Sequence, residues 1–344
     1  SYLHQKNGTK IYFDMKYFDK SECEAFLKLK PKIKRNISNN NNNQKTPSPK
    51  SNRLKKKTFK KNHCSLKNSN KSYSCLDDKL LIKIGNVLNQ YHQAGIKIDN
   101  SRKKLQEEIS NKLSEMSRCN SEKCWMTIQE LIRHLSPGEL SLFKRSFKPK
   151  KPQEWDKKPN EWLTTTQLKS ILEQLVHKYP NFKEYGALPM DFEKRQNNSC
   201  ITGDLCNIDL QKDFSDKKHK MGVIFNLDDH DESGSHWTSM YVELEPCCRK
   251  EPSIYYFDSV GSKPPKEIYN LVDKLQEQFK AIKGTTLDFL YNDIQHQKGN
   301  TECGIYCLHF LETMLKGTDF EEHIQSKNDD KYMEKFRDYY FIDE

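Results

Sequence analysis

The chain has 344 residues, 34% hydrophobic and 31% charged, with a formal net charge of +10. At roughly 150 residues per domain this length makes one large or two modest domains, and no apolar run approaches the roughly 18 residues of a membrane-spanning helix. The charge is lopsided: residues 31–75 hold 13 Lys or Arg and no Asp or Glu, so the remainder is net −3, and the basic balance belongs to one segment that is sticky toward nucleic acid or anionic surfaces.

In chain order, residues 1–30 read as an ordered N-terminal segment, with Ile11-Tyr12-Phe13 as a short strand and 24–29 as a helical turn. Residues 31–76 are Asn-, Lys- and Ser-rich, with an unbroken asparagine run at 39–43. They carry too few apolar groups to offset ordering entropy, so a disordered basic insert is expected. Order resumes near Asp77. Leu80, Ile84, Val87, Leu88 and Tyr91 recur at helical spacing, and Asn100-Ser101 can cap a second helix bearing Leu105, Ile109 and Leu113. With the apolar patch 125–135, these predict a helical accessory region over 77–150. Pro149, Pro152 and Pro159 punctuate a connection where the main boundary is expected, with 151–344 as the second domain.

Beyond it the pattern changes. A helix is predicted over 167–177, strands at 223–225, 237–244 and 254–257, a helix over 266–282 after Pro264-Pro265, a strand at 287–291, and an apolar helix over 303–315. Strands followed by flanking helices predict an α+β fold with helices packed on a mostly antiparallel sheet.

Chemistry-bearing residues sit at the ends of these elements. Cys303 opens the last helix, where unpaired backbone N–H groups favour a thiolate, the form a nucleophile needs. Gly304 would let a substrate backbone approach closely. Taken alone, the pair reads equally as buried small residues. His236 heads a strand, within reach of a thiolate as general base and acid. Asp258 ends the next strand, where an antiparallel neighbour can fix the imidazole tautomer. Gln297, six residues before Cys303, can donate to a developing oxyanion. Each is unremarkable in isolation, but they fall in order within about 70 residues, each with a mechanical role.

The 11 cysteines are odd in number and scattered, which reads against a disulfide framework and for a reducing compartment. Cys119 and Cys124 are spaced C-x4-C and Cys247-Cys248 are adjacent. Neither set offers the matched close pairs of a structural zinc site, so no metal and no cofactor are expected. The chain begins at Ser1 rather than Met, which leaves a preceding or removed segment open.

His236-Trp237, Phe257-Asp258-Ser259 and the string Gln297 to Gly304 resemble the catalytic pattern of the Ulp/sentrin-specific and adenain-like cysteine proteases over roughly 160–340. Met190-Asp191-Phe192, Cys124-Trp125, Phe147-Lys148-Pro149-Lys150, Glu161-Trp162-Leu163-Thr164 and His296-Gln297 with Thr301-Glu302-Cys303-Gly304 are similar to its viral branch. The resemblance implies a papain-like α+β core with Cys303 as nucleophile, His236 as base, Asp258 as orienter and Gln297 at the oxyanion. It also implies Trp237 roofing a narrow channel that admits glycine-like residues before the scissile bond. A viral member carries asparagine where this chain has Asp258, and Gln295 is a second nearby glutamine. The implied partner is a virion precursor polyprotein with a Gly-rich cleavage site, processed in the virion or the host cytoplasm. Three rival readings stay open. One is a protease acting on host ubiquitin-like proteins. Another is an acetyl transferase, which would need a coenzyme site where 160–344 shows no phosphate loop or basic cluster. The third is a non-enzymatic nucleic-acid- or virion-binding protein working through 31–75.

Overall fold

The computed structural model describes residues 2–6, 9–13, 63–69, 73–246, 250–326 and 328–343, with side chains from His63 onward. Strands β1 (Tyr2–Lys6) and β2 (Thr9–Phe13) form an antiparallel hairpin, which takes in the expected strand at 11–13. The predicted turn at 24–29, and the insert through residue 62, lie outside the described residues. The insert expectation fails at its C-terminal end. Ser65 and Leu66 are buried, and Cys64 is joined to Cys75 by a disulfide. The cross-link and the apolar contacts of Leu66 offset an ordering cost that composition alone made prohibitive.

The compact unit holding His63–Glu245 and Glu251–Glu344 begins with the helical region. Helix α1 (Asp78–His92) is capped by Asp77, whose carboxylate accepts from Leu80 N–H at 2.7 Å, and α2 (Arg102–Ser117) follows. Both present the predicted apolar stripes to a core that includes Trp125 and Phe143, except that Tyr91 is exposed and stacks on His134. Short α3 (Gln129–Ile132) and α4 (Pro137–Arg145) complete it. This core ends at Phe147 and the next begins at Trp155, apart from Leu66. The break in the core falls in the Pro-rich connection, but the segments on both sides belong to one compact unit. The Gln174 side chain bridges the two parts, accepting from Leu66 N–H at 3.1 Å and donating to Phe147 O at 2.8 Å.

Helix α5 (Thr165–Lys178) opens on a reciprocal cap. Thr164 Oγ1 accepts from Gln167 N–H, and Gln167 Oε1 accepts from Thr164 N–H, satisfying two otherwise orphaned donors. It buries Leu168, Ile171, Leu172 and Leu175, the helical repeat of one face. Next come β3 (Phe182–Pro189), the minor ribbon β4 (Arg195–Gln196) and β5 (Ser199–Cys200), α6 (Leu210–Ser215), β6 (Lys220–Asn226), β7 (Trp237–Glu243), β8 (Ser253–Phe257), α7 (Lys266–Lys283) and β9 (Asp288–Tyr291). The last part of the chain is α8 (Cys303–Leu315), α9 (Phe320–Ile324) and α10 (Asp330–Tyr340).

Five strands form one sheet in the order β3-β6-β7-β8-β9. The central pairings are antiparallel and the two outer ones, β3 with β6 and β8 with β9, are parallel. The sheet is therefore mixed rather than mostly antiparallel. Both faces are covered. Ile224, Tyr241 and Phe257 point into the core shared with α5 and α8. Val223, Phe225, Met240, Val242, Ile254 and Tyr256 point into the core under α7, as the two-residue period of a strand demands. Helix α8 is buried on nearly every side, because β7 lies beneath it and α5 and α10 flank it. An all-round apolar helix is stable only in such a position.

Six cysteines pair, Cys64–Cys75, Cys119–Cys124 and Cys200–Cys206, against the expectation of no disulfides. Each pair is local in sequence, which an odd, scattered total conceals. Cys119 and Cys124 are thereby not a metal-ligand pair, while Cys247-Cys248 lie outside the described residues. Among the described residues no helix is long and apolar enough to cross a membrane.

Candidate active site

The loop between β6 and β7 delivers His236. Asn226 Oδ1 accepts from the N–H groups of Asp228 and Ser235 at 3.1 and 3.2 Å, and Leu227 N–H donates to His236 O at 3.0 Å. Gly234 is required in this tight return. Its φ is +86°, and a Cβ there would lie 2.5 Å from Asn226 Nδ2. The antiparallel register pairs Ser239 with Phe257, so the end of β8 arrives beside the start of β7, where Asp258 meets His236. Asp258 is 1% exposed. Its backbone is held by Asn292, which accepts from Asp258 N–H and donates to Asp258 O, both at 2.8 Å.

His236 Nε2 donates to Asp258 Oδ1 at 2.7 Å. That leaves Nδ1 for the Cys303 thiol, whose hydrogen bonding and charge act on the ring. Burial disfavours the imidazolium, but hydrogen bonds and charge from Asp258 and Cys303 outweigh it and hold the His236 pKa up at about 9. A protonated imidazole beside the sulfur is the partner a thiolate requires. Cys303 is the first residue of α8, as its spacing predicts. Cys307, one turn on, is fully buried. Burial, then the charge at Cys303, push its thiol well above the ordinary range, which suits a packing residue rather than a nucleophile.

Gln297 is fixed by Ser259. Its backbone N–H donates to Ser259 O at 2.8 Å, and its Oε1 accepts from Ser259 Oγ at 2.6 Å. The amide is thereby oriented. One Nε2 hydrogen goes to Gly299 O at 2.9 Å and the second is left for an acceptor in the site. Gln295 instead spends its amide on Gln297 O at 3.0 Å.

Trp237 is both core and wall. It is buried, and its Nε1 donates to Leu163 O at 2.9 Å. With Trp162 and Leu163 it lines a cavity of about 550 Å³. Gly304 departs from expectation. The position its Cβ would take is 2.9 Å from Leu163 Cβ and 3.0 Å from Leu163 Cδ1. The absent side chain makes room for that wall residue rather than for a substrate backbone.

Trp162 and Leu163 stand out in the sequence only as part of a motif string, which gives no sign of their place at the cavity. Their position just before the Thr164 cap of α5 is a signal that could have raised them. Asn292, at the end of a strand beside β8, was also missed. Among the described residues no group of three His, Cys, Asp or Glu side chains is placed to hold a metal ion.

Residues 201–344 match a family model described as YopJ Serine/Threonine acetyltransferase. The matched stretch holds His236, Asp258, Gln297 and Cys303 but stops short of β3, Trp162 and Leu163. A thiol protease of Acanthamoeba polyphaga mimivirus is 29% identical over 248 residues, covering 72% of this chain and 76% of that one. An African swine fever virus protein named a SUMO-1 cysteine protease is 26% identical over 257 residues, covering 70% of this chain and 89% of the relative. The crystal structure of the African swine fever virus protease superimposes with a TM-score of 0.57 at 21% identity, over 83% of this chain and 97% of that one, a likeness of fold. The chain is a cysteine endopeptidase, similar in sequence to viral thiol and SUMO-1 cysteine proteases.

Proposed function

We propose that Cys303, His236, Asp258 and Gln297 are the catalytic residues, and that the enzyme cleaves after Gly-Gly-like small residues in virion precursor proteins. The observation that carries the specificity is the cavity walled by Trp162, Leu163 and Trp237. Trp237 adjoins His236 in sequence, and Leu163 packs on Gly304 beside the nucleophile. Rigid walls at Trp162, Leu163 and Trp237, on the path by which Leu163 and Trp237 lead to the thiol, would favour a chain without side chains. Gly304 would contribute indirectly, by seating Leu163.

In this reading the Cys303 thiolate attacks the scissile carbonyl carbon and forms the C–S bond. The negative charge on the carbonyl oxygen is met by the free Nε2 hydrogen of Gln297 and the Cys303 backbone N–H. His236 gives its Nδ1 proton to the leaving amine as the C–N bond breaks. It then takes a proton from the water that hydrolyses the thioester, and the departing sulfur restores the thiolate–imidazolium pair. Asp258 holds the ring and stabilises its charged form. An acetyl-coenzyme donor finds less support. The neighbouring cavity carries Lys169, Lys183 and Lys212, but Glu184, Asp204 and Asp209 line it too, and Lys183 is paired with Asp213 at 2.5 Å. The enzyme would act in the virion or the infected cell's cytoplasm. The basic segment 31–75 would add weak, salt-sensitive contact with nucleic acid.

The test is labelling with a peptide ending in Gly-Gly and a thiol-reactive warhead, beside a full ubiquitin-like probe. The expected result is rapid labelling by the peptide, lost in Cys303→Ala. Labelling that persists in that variant would sink the assignment of the nucleophile. Labelling by the ubiquitin-like probe alone would favour deconjugation of host proteins.

A further inference from the structure

We propose that the C-terminal helix α10 is a two-point clamp on the Gln297–Cys303 segment, with Asp330 and Arg337 as positioning residues for the oxyanion loop and the nucleophile. The proposal rests on the roles given above to Cys303 and Gln297.

Asp330 opens α10 and grips one end of the segment. Its Oδ2 accepts from the backbone N–H groups of Lys298 at 3.0 Å and Gly299 at 2.8 Å. Its Oδ1 accepts from Tyr306 Oη at 3.1 Å, which ties the same carboxylate to the first turn of α8. The Gly299 carbonyl holds Gln297 Nε2. The chain of contacts thus runs from Asp330 through one residue to the amide that faces the oxyanion.

Arg337 grips the other end. It lies seven residues on, two turns and about 10 Å along the helix, so both residues share one face. Its Nε donates to Glu302 Oε1 and Oε2 at 3.2 and 3.1 Å, and its Nη2 to Oε1 at 2.9 Å. Nη2 also reaches Thr301 O at 3.4 Å, and Nη1 reaches Glu161 O at 2.7 Å. Trp155 backs the guanidinium, its ring centre 4.6 Å away. Glu302 immediately precedes Cys303, and Glu161 immediately precedes Trp162 of the cavity wall. One planar, rigid group therefore sets the spacing between nucleophile and wall.

Both charges are buried. Burial pushes the Glu302 carboxyl up, and the Arg337 fork only partly offsets this. Well-packed apolar residues stabilise such a site as well or better. What an apolar pair cannot supply is five donors in fixed directions, aimed at a carboxylate and at two backbone carbonyls. Those contacts fix backbone position at the two places where the proposed mechanism needs it.

The test compares two small reagents that need no substrate recognition. p-Nitrophenyl acetate acylates Cys303 through an oxyanion, whereas iodoacetamide alkylates the thiolate without one. In Arg337→Lys and Asp330→Ala the acylation rate should fall about 10- to 100-fold, the scale of an ångström-sized misplacement. Alkylation should stay within about threefold of the native rate, and Arg337→Lys, which keeps the charge but not the fork, should not rescue acylation. Asp330 is only half-buried, so its variant keeps the comparison valid if the Arg337 variant folds poorly. Acylation within about twofold of native in the folded variants overturns the clamp. So does a parallel fall of both rates, as lost folded protein would produce. Acylation that survives Cys303→Ala would instead sink the assignment of the nucleophile.

Discussion

Adding one methyl group at Gly304 separates two readings of that residue. If glycine is there to admit substrate, Gly304→Ala spares stability and weakens substrate binding. If it is there to seat Leu163, the new Cβ lands 2.9 Å from Leu163 Cβ, an atom next to the backbone that cannot swing aside. Overpacking of this kind costs about 1–3 kcal/mol. Relief of glycine's flexibility returns up to about 1 kcal/mol within a helix, and less in its first turn. The net loss is about 1–2 kcal/mol, or about 2–4 °C in thermal midpoint for a protein of this size. Far-UV circular dichroism melts of four proteins decide it: native, Gly304→Ala, Leu163→Gly and the double variant. Leu163→Gly alone costs upward of about 2–5 kcal/mol but removes that Cβ and empties the contested space, so Gly304→Ala becomes neutral or stabilising in that background, a coupling of about 1–2 kcal/mol. An equal penalty in both backgrounds, or none in the native one, refutes the packing account.

Three further outcomes follow from charge. Because the His236 pKa is raised to about 9, its imidazolium persists through neutral pH and is lost only above about 9. The alkaline limb of kcat/KM should fall there and move downward in Asp258→Asn, and a limb near the free imidazole value of about 6.5 would contradict the triad geometry. Burial, then mainly the charge of Lys316, holds His309 down at about 4, and burial with the neighbouring histidines holds His323 at about 3. The unfolded chain then takes up more protons, so stability present above about pH 6.5 should decline below it by up to about 1.4 kcal/mol per histidine per unit. His323→Phe, which keeps the edge-on and tilted ring contacts with Phe257 and Phe310, should flatten the decline, and an unchanged midpoint-versus-pH slope counts against it. Glu312 accepts from Lys178 at 2.8 Å, Tyr339 at 2.9 Å and Tyr340 at 3.1 Å. Despite its burial, Lys316 and Lys178 hold its pKa down at about 2. Its contribution is present above about pH 4.5 and lost as pH falls toward 2, and Glu312→Ala should cost about 3–5 kcal/mol in a urea titration at neutral pH.

How much of this was legible in advance divides along one physical line. Residues whose proposed role follows from the end of a regular element had readable placements: Cys303 at a helix start, His236 and Asp258 at strand ends, Gln297 by its offset from the thiol. The helices at 165–178 and 303–315 declared themselves by their apolar repeat. Strand β3 did not. Gly186, at φ +95°, and a register irregularity between Glu184 and Ala187 break its alternation, and an edge strand has only one paired neighbour to shape its composition. Asn292, Asp330 and Arg337, missed altogether, and Trp162 and Leu163, met only within a motif string, act across long sequence separations, and little that is local marks what they touch. Gly304 shows the same limit within a residue that was found. A missing Cβ announces that something comes close, and only the tertiary structure says that it is Leu163. The proposed catalytic groups thus sit where local chemistry puts them, whereas the contacts proposed to fix their spacing come from the far end of the chain. That is why the clamp at Asp330 and Arg337 required the fold before it could be seen.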